Sequence, residues 1–206
     1  AEMILSHRKN MPDGQLEKYA AIIFDENKRI QHQVDQIMQL SLLEDEHYKF
    51  SMKPVDLHGI LRRCVETGRL MLRDRGGSIE LKGSSSRQII ADQLHITNAI
   101  NNLIENAIKY SHDEPYLLIT VQQSEEGVTI GFRDNGIGIE PDQTERIFDR
   151  MYRVPAGDLY QTPGTGIGLY YVRKVVEAHN GSIRLESKLG EGSLFEVFLP
   201  YNPESE

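Results

Sequence analysis

The sequence predicts an α/β protein in which a two-layer α/β sandwich with a mixed, largely antiparallel sheet follows a long helical segment. Three observations lead to this prediction. Apolar residues recur at helical spacing for roughly four heptads near the start, two β-hairpin patterns lie in the second half, and amphipathic helix patterns alternate with them. We expect a helical unit over 1–50 and an α/β domain over 51–206.

The helical segment carries one apolar seam. From Leu16 the apolar residues recur in alternating steps of four and three as far as Ile37, Asn27 falls on the same stripe, and the pattern runs to about Leu43. A helix of roughly 30 residues is about 45 Å long. It is either an amphipathic core helix or part of a dimeric helical bundle in which Asn27 sets the register. The length of the seam favours the bundle.

The second domain follows a charged stretch, residues 44–54, that ends in Pro54 and is expected to be a linker. The patterns after it predict, in order, helix 55–74, strands 79–81 and 88–91, helix 92–110, strands 116–123 and 128–134, helix 167–179, and strands 182–187 and 193–200. The last four strands are expected to pair as two hairpins. After the third helix, Gly181 is expected to supply the left-handed cap.

Composition restricts the function classes. The chain has 206 residues, enough for one or two domains with a sizeable core. Its 23 basic and 31 acidic side chains give a net charge of −8, which disfavours bulk nucleic-acid binding because that depends on neutralising phosphates. The single cysteine, Cys64, excludes an intrachain disulfide framework and fits a reducing compartment. No apolar run approaches the roughly 20 residues that span a bilayer.

Three asparagines share one face of the helix predicted over 92–110. Asn98, Asn102 and Asn106 lie four residues apart, with Lys109 near them. Asparagine is a poor helix former, so this spacing is unusual for a plain surface. A carboxamide oxygen is a hard, neutral ligand that suits Mg²⁺, and the lysine would meet a phosphate. A solvated polar face is the open alternative.

Glycine-rich turns occur at three further places. "DNGIGI" ends a strand at Asp134, whose carboxylate accepts hydrogen bonds and so matches the exocyclic amine of adenine rather than the carbonyl of guanine. "TPGTGIGLYYVRKVV" places glycines just before a helix, where backbone N–H groups form an anion site. "GEGSLFEVFLP" places Gly190, Gly192 and Ser193 at a hairpin. Taken singly, the first and last are also explained by simple turns, and the second is weak evidence.

The order and spacing of these motifs are specific. "NLIENAIKYS", "DNGIGI", "IFDRMYR", "GTGIGL" and "GEGS.F" resemble, in that order, the N, G1, F, G2 and G3 boxes of sensor histidine kinases. The resemblance implies the GHKL, or Bergerat-type, ATP-binding fold shared with DNA gyrase and MutL, with ATP and Mg²⁺ as cofactors. Residues 1–50 look like part of the family's dimerisation and phosphotransfer bundle, as the end of a first helix, a turn and a second helix. Residues 51–206 look like its catalytic ATP-binding domain.

The resemblance implies a role for each matching residue. Asn106 would coordinate Mg²⁺, with Asn102 supporting the phosphate end, Asp134 would bind the adenine amine, and residues 154–164 would form a mobile lid. The implied catalytic residues are Asn102, Asn106, Lys109 and Arg153, the last facing the γ-phosphate. The implied ATP-binding residues are Asn106, Lys109, Tyr110, Asp134, Gly136, Ile137, Gly138, Gly164, Thr165, Gly166, Ile167, Gly168, Leu169 and Ser193.

Residue 102 also bears on the reaction. Relatives that hydrolyse ATP resemble one another in carrying a glutamate there as general base, whereas here it is an amide. A neutral imidazole needs less help than water, so Asn102 favours phosphoryl transfer to histidine over hydrolysis. Glu105 is a weak alternative base. The rival functions are a nucleotide-binding dimerisation module and an ATPase that gates a partner without phosphorylating histidine.

His7 resembles the family's phosphoacceptor in preceding a proline by five residues. The family's segment reads His-Glu-x-x-Thr-Pro, from which Arg8 and Met11 depart. The family's acceptor also lies high on a long first helix, and too few residues separate His7 from the helix that begins near Gln15. We therefore reject His7, expect the acceptor upstream, and expect no autophosphorylation of this chain. The remaining histidines are expected to be structural or solvated, namely His32, His47, His58, His95, His112 and His179.

The resemblance also implies partners. A response regulator receiver domain would accept the phosphoryl group, and a second copy would pair through the helical bundle. Nucleic acid is not expected as a partner. We expect a cytoplasmic fragment of a protein that is anchored in the bacterial inner membrane only through upstream segments.

Overall fold

A computed structural model describes residues 14–45, 47–73, 75–111, 114–154 and 165–201. The chain divides into two compact units, residues 1–45 and 46–206. Several expectations lie outside the described residues, namely those for the end of a first helix, His7, His112, Gly164 and the lid beyond Val154.

The described part of the first unit is one long helix, α1 (Gln15–Leu43). Its predicted apolar seam is exposed, because Leu16, Ile30, Val34 and Ile37 each keep 44 to 52% of their surface accessible. Asn27 is exposed on the same stripe. A single helix cannot bury a stripe of this kind on itself, so the seam is available to a partner.

The second unit contains three helices and seven strands in its described part. In chain order they are β1 (Lys53–Val55), α2 (Leu57–Met71), β2 (Ser78–Gly83), β3 (Ile89–Ala91), α3 (Gln93–Lys109), β4 (Tyr116–Gln123), β5 (Gly127–Asp134), α4 (Gly168–Ala178), β6 (Ser182–Lys188) and β7 (Gly192–Pro200). Two short 3₁₀ turns, Pro141–Gln143 and Arg146–Phe148, lie between β5 and α4.

Five strands form one sheet in the order β2-β4-β5-β7-β6. The β2–β4 pair is parallel and the other three pairs are antiparallel, so the predicted mixed, largely antiparallel sheet is confirmed. β4 alternates buried and half-buried residues, as a strand with one covered face does. The buried faces of α3 and α4 supply the opposite layer, for example through Leu103 and Val172.

Two expectations about local structure were wrong. Part of the expected linker is a strand, since β1 pairs antiparallel with β3 and places Pro54 opposite Ile90. A proline is tolerated in such a two-stranded ribbon because each strand has a free edge. The left-handed residue after α4 is Asn180, with φ of 54°, and not Gly181. Gly181 is instead required for space, because a Cβ there would collide with the Phe198 carbonyl oxygen.

Candidate functional site

Asp134 ends β5, and its carboxylate is held by backbone N–H groups from two directions. Gly136 N–H donates to Oδ1 at 2.8 Å, and Ser193 N–H donates to the same oxygen at 3.1 Å. No described residue hydrogen-bonds to Oδ2. Burial raises the pKa of this carboxyl, and the two N–H donors partly oppose that rise. One oxygen is therefore fixed by the protein while the other keeps its acceptor capacity.

The loop after Asp134 is fastened on both sides. Ile137 N–H donates to the Tyr110 carbonyl at 3.0 Å, and the Ile137 carbonyl accepts from Gly190 N–H at 2.7 Å. Gly138 has φ of 69°, and a Cβ there would collide with the Lys188 carbonyl oxygen. Only glycine fits this approach, so the loop is clamped between the end of α3 and the β6–β7 hairpin.

The polar face of α3 reaches the start of α4. The Asn102 carboxamide donates from Nδ2 to the Asn98 carbonyl at 2.9 Å. A Cβ built on Gly168 would lie 2.7 Å from Asn102 Oδ1, so this oxygen lies against the first residue of α4. Further along α3, Lys109 Nζ lies 4.9 Å from the centre of the Tyr110 ring.

The start of α4 also meets the segment that carries Arg153. Gly166 has φ of 70°, and a Cβ there would lie 2.7 Å from the carbonyl carbon of Met151 and 2.8 Å from the carbonyl oxygen of Tyr152. Ile167 is buried, and its N–H is 3.4 Å from Thr165 Oγ1. Arg153 is exposed beside this contact.

The predicted site residues therefore gather at two places along α3, its middle near Asn102 and its C-terminal end near Tyr110. Asp134, Gly136, Ile137, Gly138 and Ser193 lie at the Tyr110 end, and Thr165 to Leu169 lie at the Asn102 end. Eight residues of helix separate Asn102 from Tyr110, or about 12 Å. We call the surface of α3 from Asn102 to Tyr110, with the turns that flank it, the groove. A carboxylate acceptor at one end and a helix N-terminus at the other suit a nucleotide.

Comparison with known proteins decides the family. Residues 91–203 match the family described as "Histidine kinase-, DNA gyrase B-, and HSP90-like ATPase". The chain belongs to this ATPase family. The matched residues include both ends of the groove, so the resemblance drawn from the sequence motifs is confirmed, and so is the predicted fold.

Relatives of this ATPase domain are sensor proteins. The chain is 36% identical to sensor protein RprX of Bacteroides fragilis over 184 residues, which are 88% of this chain and 36% of that protein. It is 31% identical over its whole length to the sensor-like histidine kinase SenX3 of Mycolicibacterium smegmatis, covering 53% of that protein. The chain thus spans a third to a half of these relatives.

One solved structure has the same fold as this chain. The histidine kinase ThkA, in complex with response regulator protein TrrA, matches with a TM-score of 0.75 and 22% identity over 100% of this chain and 57% of that chain. The family match and the sequence relatives together identify residues 91–203 as an ATP-binding domain of the sensor histidine kinase type.

The described residues of the ATPase chain contain no cluster of three His, Cys, Asp or Glu side chains that could hold a metal ion. No described helix is long and apolar enough to cross a membrane. The cytoplasmic location expected from the sequence stays a prediction.

Two residues that shape the site were missed from the sequence. Asn135 accepts from Tyr116 N–H at 2.8 Å and donates to the Glu114 carbonyl at 3.0 Å, so it fixes the strand end beside Asp134. The Asp-Asn-Gly turn was a signal that could have found it. Ser187 bonds to both the loop and the hairpin, and no sequence motif pointed to it.

Proposed function

We propose that this chain is the ATP-binding catalytic portion of a sensor histidine kinase. It would transfer the γ-phosphoryl group of ATP to a histidine, for relay to an aspartate of a response regulator. The observation that carries the proposal is the Asp134 carboxylate, because two backbone N–H groups hold Oδ1 and no described residue bonds to Oδ2. A buried group with a remaining acceptor suits the amine of adenine.

The phosphates are proposed to lie near the middle of α3, where Asn102 meets the start of α4. The N-terminus of α4 presents N–H groups there, as helix starts do for anions. Lys109 and Arg153 supply positive charge along the groove, and Asn102 supports the turn that begins α4 through its contact with Gly168.

Mg²⁺ fits the polar face of α3. Asn106 is half-buried, and no described residue hydrogen-bonds to its carboxamide. A carboxamide oxygen is a suitable ligand for this ion, which takes few protein ligands and several from phosphates and water. We therefore assign Asn106 to Mg²⁺. When bound, the ion neutralises charge on the phosphate oxygens.

The proposed reaction needs no activated water. A neutral imidazole nitrogen forms a bond to the γ-phosphorus as the bond to the β–γ bridging oxygen breaks, and ADP leaves with that electron pair. Because imidazole is already a nucleophile, an amide at position 102 is sufficient where hydrolysis would call for a carboxylate base.

We also propose two partners. The exposed seam of α1 would pair with a second copy of the chain, since its apolar stripe has the heptad spacing of helical bundles. A response regulator receiver domain would take the phosphoryl group, which the fold shared with ThkA supports.

Nucleotide binding by an Asp134→Ala variant tests the site. We expect the affinity for ADP to fall about ten- to a hundredfold, because a hydrogen bond to a charged acceptor is lost. Asp142→Ala, at an exposed carboxylate outside the groove, is the matched control and should bind ADP normally. Undiminished ADP affinity in Asp134→Ala would refute the placement of the adenine.

Phosphoryl transfer tests the reaction. Labelled ATP is incubated with the chain alone and with a separately supplied histidine-bearing bundle. We expect phosphohistidine on the bundle and none on the chain alone, because His7 is not the acceptor. Tight ATP binding without phosphohistidine on either would favour a dimerisation module, and phosphate release without transfer would favour an ATPase.

A further inference from the structure

Ser187, on β6, makes three hydrogen bonds through one oxygen. Its Oγ lies 2.9 Å from the Ile139 nitrogen, 3.0 Å from the Gly192 carbonyl oxygen and 2.9 Å from Ser193 Oγ. These partners belong to the loop after Asp134 and to the hairpin that carries Ser193. The hydroxyl therefore joins both chain segments that flank the Asp134 carboxylate.

The directions of these hydrogen bonds follow from which atoms carry protons. A serine hydroxyl has one proton and two lone pairs. The Ile139 N–H can only donate, and the Gly192 carbonyl can only accept, so the Ser187 proton goes to Gly192. The Ser193 hydroxyl must then donate to Ser187 for all three contacts to be hydrogen bonds.

This arrangement fixes the position of Ser193, which is bound to Asp134. With its proton committed to Ser187, the Ser193 hydroxyl keeps only lone pairs for any other neighbour. Its own backbone N–H holds Asp134 Oδ1 at 3.1 Å, so the position of Ser193 determines how the carboxylate is held. The hydrogen bond between the two hydroxyls therefore fixes the residue whose main chain holds Asp134.

We propose that Ser187 is a positioning residue that makes the site select 6-amino over 6-oxo purine nucleotides. It acts through Ser193, whose backbone N–H orients the Asp134 carboxylate, and through Ile139, whose N–H it holds to fix the loop. A 6-oxo purine would place a carbonyl oxygen against the Asp134 carboxylate, and two acceptors repel. The inference rests on the proposed function in that the purine binds at Asp134.

The test compares ADP with inosine diphosphate, since their bases differ in having an amine or a carbonyl at the 6-position. Dissociation constants for both are measured by titration calorimetry on the full chain. Ser187→Ala should weaken ADP binding about tenfold and inosine diphosphate binding by less, so the preference for ADP falls. Ser187→Thr keeps the hydroxyl and should keep the preference. Ser182→Ala, at an exposed serine on the same strand, should change neither constant.

Two further variants keep the result interpretable if Ser187→Ala folds poorly. Ser193→Ala keeps the N–H that holds Asp134 and removes only the hydroxyl, so it should lower the preference by the same mechanism. The double variant should lose no more preference than Ser187→Ala, because the hydrogen bond between the two hydroxyls is already absent in that variant.

A purely structural serine gives a different result. If Ser187→Ala lowers thermal stability and weakens both nucleotides equally, the ratio is unchanged and the inference is overturned. If Asp134→Ala leaves ADP binding intact, the proposed adenine site itself fails. If Asp134→Ala abolishes ADP binding while Ser187→Ala and Ser193→Ala keep the ratio, the site stands and only the role of Ser187 fails.

Discussion

The two oxygens of the Asp134 carboxylate lie in different surroundings, and this has a consequence for pH. Burial raises the pKa of the carboxyl above the ordinary aspartate value of 3.8. Protonation replaces an acceptor with an O–H donor, which cannot accept from the adenine amine. We therefore expect ADP affinity to fall on acidification, beginning at a higher pH than an ordinary aspartate would give.

Titrating ADP into the protein at a series of pH values below neutrality measures this decline. Asp134→Asn is the control, because it keeps the shape of the side chain and does not titrate. It should bind more weakly and lose the part of the pH dependence that the carboxyl causes. If wild type and variant show the same pH curve, Asp134 is not the titrating group.

Gly192 and Gly190 allow a matched test of the hairpin beside Asp134. Both have positive φ, 93° and 80°, but a Cβ on Gly192 would collide with the Asp134 carbonyl oxygen while one on Gly190 meets nothing within 4 Å. Gly190→Ala should lower the free energy of unfolding by about 1 kcal/mol through backbone strain alone. Gly192→Ala should lower it further and weaken ADP binding. Urea denaturation and calorimetry measure both, and equal losses in the two variants would contradict the role of the close approach.

Sequence reasoning at this scale worked where a residue type has one outstanding property. An acidic residue at a strand end followed by glycines predicted the turn that follows Asp134, while the binding role of Asp134 stays a prediction. Ser187 was not predictable, because its partner Ile139 is 48 residues away and a side-chain to backbone hydrogen bond leaves no periodic pattern. Gly181 was misassigned because the dipeptide Asn-Gly does not reveal which of its two residues adopts the left-handed conformation.

At the scale of elements, the start of α3 holds the segment that precedes β1. Asp92 caps α3 by accepting from Leu94 and His95 N–H with Oδ1, and its Oδ2 accepts from Ser51 N–H at 2.8 Å. His95 lies 2.6 Å from the Tyr48 hydroxyl through Nε2. Residues 48–51 are thus fastened to a helix, although their charged composition predicted a linker.

Two buried histidines near this cap make stability depend on pH. His179 accepts from Asp92 N–H at 2.9 Å with Nε2 and donates from Nδ1 to the Val175 carbonyl, an arrangement that requires a neutral ring. Desolvation lowers the pKa of both His179 and His95, an effect that the Asp92 charge only partly offsets. The unfolded chain binds these protons more tightly than the folded protein.

The free energy of unfolding should therefore keep its full value above pH 6.5, the ordinary histidine pKa, and should decline as the pH falls below that value. Urea denaturation at several pH values on either side of 6.5 measures the free energy of unfolding. His95→Gln removes one titrating ring and should reduce the slope. A slope that is unchanged in His95→Gln would contradict this assignment.

At the scale of the molecule, the two units differ in how much of their apolar surface is buried within the chain. The second unit buries its own core between one sheet and its helices, as the alternating strand and amphipathic helix patterns predicted. α1 was also predicted, because its seam has a strict period. What covers the seam was not predictable from periodicity, since a period identifies the apolar face of a helix and not the surface that it meets.

The exposed surface of α1 is wider than one seam. Ile22, Phe24, Met38 and Leu42 are also about half exposed or more, between 48 and 61%. Two helices in a coiled coil bury a narrow stripe, whereas a helix in a bundle buries a broader face. The width of this surface therefore favours a bundle assembled from two chains.

This argument predicts that self-association and nucleotide binding are separable. Replacing Ile30 and Val34 with lysine places charges within the seam, where burial without a partner is unfavourable. We expect the variant to sediment as a monomer and to bind ADP with unchanged affinity, because the groove belongs entirely to the second unit. Ala21→Lys, exposed on α1 but outside the heptad positions, is the control and should still associate. A wild-type chain that is monomeric at high concentration would contradict pairing through α1, and weaker ADP binding in the lysine variant would show that the groove depends on association.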